Sequence, residues 1–124
     1  MKKLLVIGLV SLSLVSGSVS AENWIYVGTE NGQKIYVDST SRVKEQGDST
    51  YQVKFVDKQS ISISTIVSEC KYMNYGIKGQ KVYNHKGQYL PDESYEEQFL
   101  SNHMFSNPKK GTPTWKMIKV GCGR

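Results

Sequence analysis

Residues 24–38 read Trp-Ile-Tyr-Val-Gly-Thr-Glu-Asn-Gly-Gln-Lys-Ile-Tyr-Val-Asp, two apolar runs on either side of a short polar break. Asn31-Gly32 is a hairpin signal, because both residue types tolerate the positive φ that a two-residue turn between antiparallel strands requires. Before the turn Trp24, Tyr26 and Gly28 alternate with Ile25 and Val27; after it Ile35 and Val37 alternate with Lys34 and Tyr36. Period-two alternation of aromatic and β-branched residues describes strands with one side to bury. An isolated hairpin is marginal in water, so these two strands must belong to a larger sheet, and the remaining chain must extend or cover it.

Upstream of Trp24 the chain begins with Lys2 and Lys3, a mostly apolar run from Leu4 to Val15, and the small residues of Val19-Ser20-Ala21. This is the layout of an export signal, with cleavage expected after Ala21 and a mature domain over residues 22–124. The apolar run is shorter than a bilayer span and is interrupted by Gly8, Ser11 and Ser13, and no later stretch is apolar enough to span. No cysteine follows the cleavage site to carry a lipid. An exported protein in the periplasm, at the cell surface or secreted, without a lipid anchor or a membrane span, is the expectation. The mature part, roughly a hundred residues, suits one domain with one core.

Cys70 and Cys122 are the only cysteines. In an oxidising compartment one disulfide between them is expected, closing a loop of roughly fifty residues and worth about 4 kcal/mol on the chain-entropy model. The formal charge is +5, of which Lys2 and Lys3 supply two units, leaving +3 after cleavage. The lysines are dispersed along strands and turns, a solvated surface rather than a nucleic-acid site.

In chain order, Asp38-Ser39 is expected to start a turn or cap a helical turn, and Glu45 to Ser49 to form a second turn. Tyr51, Val53 and Phe55 alternate through a strand, Asp57 to Ser60 turn it, and Ile61 to Tyr72 forms a longer strand whose alternation slips at Ile66-Val67, the sign of either a bulge or a part covered on both faces. A return strand runs from Met73 to Tyr83, Asn84 to Gly87 make a further turn, and Gln88 to Leu90 add a short strand before Pro91. Ser94 to Asn102 is expected to form a short helix burying Tyr95, Phe99 and Leu100. Thr112-Pro113 then reads as a cap followed by proline at the first helical position, with Trp115, Ile118 and Cys122 on one face and Lys116 and Lys119 on another. The expected fold class is α+β: a five- to six-stranded antiparallel meander sheet covered by a C-terminal helix, with one disulfide.

Catalytic and metal chemistry find little foothold in the residue pattern. His85 falls in an expected turn and His103 in an irregular segment, and neither is flanked by a motif, though a small secreted hydrolase such as a nuclease could use them as acid and base. Asp92, Glu93, Glu96 and Glu97 lack the glycine-centred alternation of a calcium loop, and Gly76, Gly79 and Gly87 do not form a phosphate loop. No catalytic residue, metal ligand or cofactor is assigned. Eight tyrosines interleaved with lysines suit half-buried strand positions or a protein interface. Tyr72, Tyr75, Lys78 and Lys81, on or beside one strand, are the candidate partner surface.

The order of these features resembles the surface-adhesin protein E family of Gram-negative bacteria. The residues that carry the likeness are the export signal, the Trp24-x-x-Val27 strand and the Tyr36-Val37-Asp38-Ser39 step. To these add the first cysteine before a tyrosine-rich return strand, the Lys86-Gly87 turn, and the ending Cys122-Gly123-Arg124. The resemblance implies a small sheet with a disulfide-fastened helix, a homodimer, and a non-enzymatic adhesin binding host proteins such as laminin, vitronectin or plasminogen. A periplasmic accessory protein of an envelope complex is the alternative expectation.

Overall fold

A computed structural model describes residues 22–124; the expected signal peptide, residues 1–21, lies outside the described residues. Five strands follow one another: β1 (Trp24–Glu30), β2 (Gln33–Glu45), β3 (Asp48–Val56), β4 (Ile61–Glu69) and β5 (Gly76–Tyr83). Each pairs antiparallel with its neighbour in sequence, so the sheet is a meander in the order β1-β2-β3-β4-β5. One helix, α1 (Pro113–Gly121), lies against β1 and β2 and reaches β3. This is the α+β architecture with a helix-covered antiparallel sheet.

The hairpin at residues 24–38 forms as its sequence requires, with Asn31 and Gly32 both at positive φ, 52° and 78°. A second two-residue turn of the same kind, Gln46 at 51° and Gly47 at 91°, joins β2 to β3. Asp38-Ser39 does not end the strand. The β2 pairing shifts register between Asp38 and Val43 and continues to Glu45, making a bulge where a turn was expected. Asp38 explains it: its carboxylate accepts from the Asn23 amide (3.1 Å), the Thr40 amide (3.0 Å) and the Thr40 hydroxyl (2.7 Å). Those bonds serve donors that the bulge removes from the ladder. Burial raises its pKa, but the bonds from Thr40 and Asn23 outweigh this and hold the carboxyl below the usual carboxylate range.

Cross-strand partners share a face of the sheet, so the register sorts the side chains. Facing the helix are Ile35, Val37, Ser49, Tyr51, Val53, Ser64, Ile66 and Ser68, all buried. Met117 and Ile118 of α1 complete this core, each fully buried, while Trp115, expected to face inward, is half-buried. Two bonds fix how closely the layers approach: Ser49 Oγ donates to Gly121 O at 2.6 Å, and Tyr51 Oη and Ser68 Oγ share a bond of 2.7 Å. Gly121 sits directly on the Tyr51 ring, leaving no room for a Cβ. The Cys70–Cys122 disulfide joins the end of the helix to the turn after β4, with 5.8 Å between the Cα atoms.

The helix starts with the Thr112 hydroxyl accepting from the Trp115 amide at 3.2 Å, as the sequence predicts. Its end is a Schellman arrangement, Gly123 at φ 74° with Gly123 N bonded to Val120 O and Arg124 N to Lys119 O. Two cations serve carbonyls there, Arg42 Nη1 on Val120 O (2.9 Å) and Lys44 Nζ on Cys122 O (2.5 Å), while Arg124 Nη1 reaches Cys70 O in the turn after β4 (3.1 Å). Positive charge at a helix C-terminus is favourable.

Between β5 and α1 the expected short helix over Ser94–Asn102 is absent. Residues 89–106 instead run as an extended strap along the outer edge of β5, with bridges Tyr83–Tyr89, Gln80–Tyr95 and Tyr75–Ser106 and a further bond from Gln98 N to Lys78 O. The reason is the sheet edge, whose unpaired amides and carbonyls compete for this backbone more strongly than a short isolated helix can. Only 3-10 turns at Pro91–Glu93 and Asn102–Met104 interrupt the strap. Phe99 is 87% exposed rather than buried. The short strand expected at Gln88–Leu90 reduces to the Tyr89 bridge, and β4 ends at Glu69, with Cys70 to Met73 forming a turn.

Candidate functional site

Beside the helix-covered face, the register defines an opposite face over which no described helix lies. Tyr26, Tyr36, Lys54, Ile63 and Lys81 are successive cross-strand partners, one from each of the five strands, and so form a continuous row. The adjacent row is Lys34, Val56, Ile61 and Tyr83, extended by Tyr89 through its bridge. Ile61 and Ile63, residues a sequence reader would turn inward, belong to this face, and serines 62, 64 and 68 take the helix side.

The rows are organised by aromatic and cationic contacts. The Tyr26 and Tyr36 rings lie 5.3 Å apart, and those of Tyr83 and Tyr89 5.6 Å apart. Lys54 Nζ stands 4.7 Å from the Trp24 ring centre and 5.1 Å from that of Tyr36, a cation held over two aromatic faces. Lys34 and Lys54 make the part of the face beside Trp24 and Tyr36 positive. The carboxylates of the face lie to either side of Lys34 and Lys54: Asp38 is buried and bonded, Glu45, Asp48 and Glu69 form one cross-strand row at the far end, and Glu22, Glu96 and Glu97 line a hollow with Ile63, Lys81 and Tyr83. The basic part therefore offers planar apolar surface beside ammonium groups, a combination suited to carboxylate-bearing protein segments.

The four residues expected to form a partner surface do not form one patch. Lys81 belongs to the central row and is exposed. Lys78 is half-exposed and pairs with Glu97 of the strap at 3.5 Å. Tyr72, 61% exposed, lies in the turn after Cys70 beneath Lys71. Tyr75 is half-buried against the core on the helix side; burial, then the negative charge of Glu30, push its phenol pKa up. The sequence signal that would have found Tyr26, Tyr36 and Lys54 is the alternation itself, once Val37 and Val53 are assigned to the core.

A cleft of about 470 Å³ opens on the helix side, where α1 leaves the β4–β5 half of the sheet uncovered. Ile35, Phe55, Ile77, Val82 and Met117 supply its apolar lining, and Glu30, Gln33, Ser62, Tyr75, Glu93 and Thr114 its polar lining. Glu30 Oε1 accepts from the Thr114 amide (3.0 Å) and hydroxyl (2.8 Å), which anchors the helix start to the β1–β2 turn.

His85 and His103 are engaged separately. A ring nitrogen of His85 contacts the Asp57 carbonyl at 2.7 Å, and His103 contacts Ser101 within its own turn. Among the described residues no three His, Cys, Asp or Glu side chains are grouped so as to hold a metal, and no helix is long and apolar enough to cross a membrane. No protein-family model, curated protein or solved structure matches the chain.

Proposed function

We propose that this chain is an exported, non-enzymatic binding module that recognises a protein partner through the open face of its sheet. The observation that carries the reading is the Tyr26-Tyr36-Lys54-Ile63-Lys81 row, half-buried to exposed side chains aligned across every strand with no described helix over them. Tyrosines and tryptophans supply much of the energy at protein interfaces because they contribute large area for little lost rotamer freedom. Lysines 34 and 54 select for an acidic segment on the partner. The disulfide fits an oxidising compartment. By the resemblance to surface-adhesin protein E, the partner is a host matrix or plasma protein such as laminin, vitronectin or plasminogen, met at the cell surface.

Protease added to intact cells, with a periplasmic protein as leakage control, tests the location. Degradation is expected; protection would replace a host partner by one within the envelope. Binding of the purified domain to those three host proteins tests the face, with Lys54→Glu expected to weaken it at least tenfold, the scale of losing a central interface contact. Unchanged binding by that variant would remove the open face from the proposal.

A further inference from the structure

The helix-side cleft differs in chemical character from the part of the open face around Lys34 and Lys54. Although the domain is basic, the cleft is lined by two acidic side chains, Glu30 and Glu93, with no Lys, Arg or His among the lining residues. Ile35, Phe55, Ile77, Val82 and Met117 give it an apolar part, set among neutral hydrogen-bonding groups, Gln33, Ser60, Ser62, Gln80 and Thr114. The Glu30 carboxylate is fixed by the two bonds from Thr114, both to Oε1. The second acid is held by its backbone: Gln80 Nε2 donates to Glu93 O at 3.1 Å, and the Glu93 amide bonds Leu90 O. Neither side chain forms an ion pair among the described residues.

We infer that the cleft binds a small amphipathic organic cation, a primary amine carrying a compact apolar or aromatic body. The apolar body meets the lining side chains Phe55, Ile77, Val82 and Met117, and the ammonium is drawn to the carboxylates. A volume of about 470 Å³ admits a molecule of roughly ten to twenty heavy atoms, in the lower part of the range for small-molecule sites. Anions of the same shape are excluded by the two acids. Because the ammonium remains partly in solvent, binding is weak and salt-sensitive. The site is separate from the open face, and its occupancy does not depend on any protein partner.

Three matched probes test this: tyramine, its neutral counterpart 4-ethylphenol, and the anion 3-(4-hydroxyphenyl)propionate, each titrated into the isotope-labelled domain and followed by NMR. Tyramine is expected to give saturable shifts at Ile77, Val82, Thr114 and Met117, with a Kd in the millimolar range or tighter. 4-Ethylphenol should bind about tenfold more weakly, the scale of one lost charge-assisted contact. The propionate should bind least. Glu93→Gln, at an exposed position where folding is not at stake, should weaken tyramine about fivefold and Glu93→Lys should abolish its saturation. Equal binding of the three probes, shifts that map to the open face, or no saturation by tyramine at about 20 mM would each overturn the inference, since that is weaker than any specific ion-paired site.

Discussion

The two faces of one sheet have been given different work by the same alternation. On the helix side Val37, Tyr51, Val53, Ile66, Met117 and Ile118 are fully buried, and small residues, Ser49, Ser64, Ser68 and Gly121, let the layers approach until side chain and backbone touch. On the other side isoleucines, valines, tyrosines and lysines stand in rows that remain open. Apolar content alone does not separate the faces. What separates them is where α1 docks: serines between the large core side chains, and Gly121 on the Tyr51 ring, let the helix approach closely on one side. Substitutions on the first should therefore cost stability, and those on the second should cost recognition.

The largest effect is expected where the helix is fastened. Replacing both Cys70 and Cys122 by serine should lower unfolding free energy by about 4 kcal/mol, read as a shift in urea midpoint. A loss under about 1 kcal/mol would mean that packing, not the crosslink, holds the helix. Gly121→Ala comes next, because its Cβ meets the buried Tyr51 ring, whose hydroxyl is bonded to Ser68; about 3 kcal/mol is expected, the upper end for overpacking.

Asp38 lies between the faces in energy, since it holds the bulge rather than the core. Asp38→Asn should cost about 2 kcal/mol at neutral pH, the scale for hydrogen bonds to a charged, buried group. Its folded pKa is lowered, so its contribution is complete above the unfolded value near ~4 and is lost as pH falls through the folded value. The gap between wild type and variant should therefore narrow in denaturation curves taken at about pH 3. The smallest effect on folding belongs to Tyr36→Ala, about 1 kcal/mol from its partly exposed contacts with Tyr26 and Lys54, alongside a clear loss of partner binding. If that variant instead unfolds the domain, the open face is structural.

Local signals in the sequence were sufficient where the governing interaction is local. Asn31-Gly32 forms the tight turn that its φ tolerance predicts, Thr112-Pro113 starts the helix, and the slip at Ile66-Val67 becomes the register shift between Thr65 and Ile66. Cys70 and Cys122, the only two cysteines, pair as expected. Misplaced features depend on partners distant in sequence. Phe99 is exposed and residues 94–102 are extended because the edge of β5 claims their backbone, and Gly76 and Gly79 leave room there for the strap. Met117 is buried in the core because α1 is oriented by Gly121 on Tyr51 and by Glu30 on Thr114, contacts with no local signature. The open row needed the register of all five strands at once, which is why Lys81 was named from the sequence and Tyr26, Tyr36 and Lys54 were not.

The meander also dictates the order in which the molecule can assemble. Every strand pairs with its sequence neighbour, so hairpins can close early and over short loops. The helix that covers them is made after all five strands, and it docks on residues far behind it; Thr114 and Glu30 are 84 positions apart. Until that helix arrives, the side of the sheet carrying Val37, Val53 and Ile66 has no lid, and the half-made chain presents the surface most prone to self-association. A chain stopped short of Pro113 would keep its hairpin signals and leave Val37, Val53 and Ile66 without the helix that covers them.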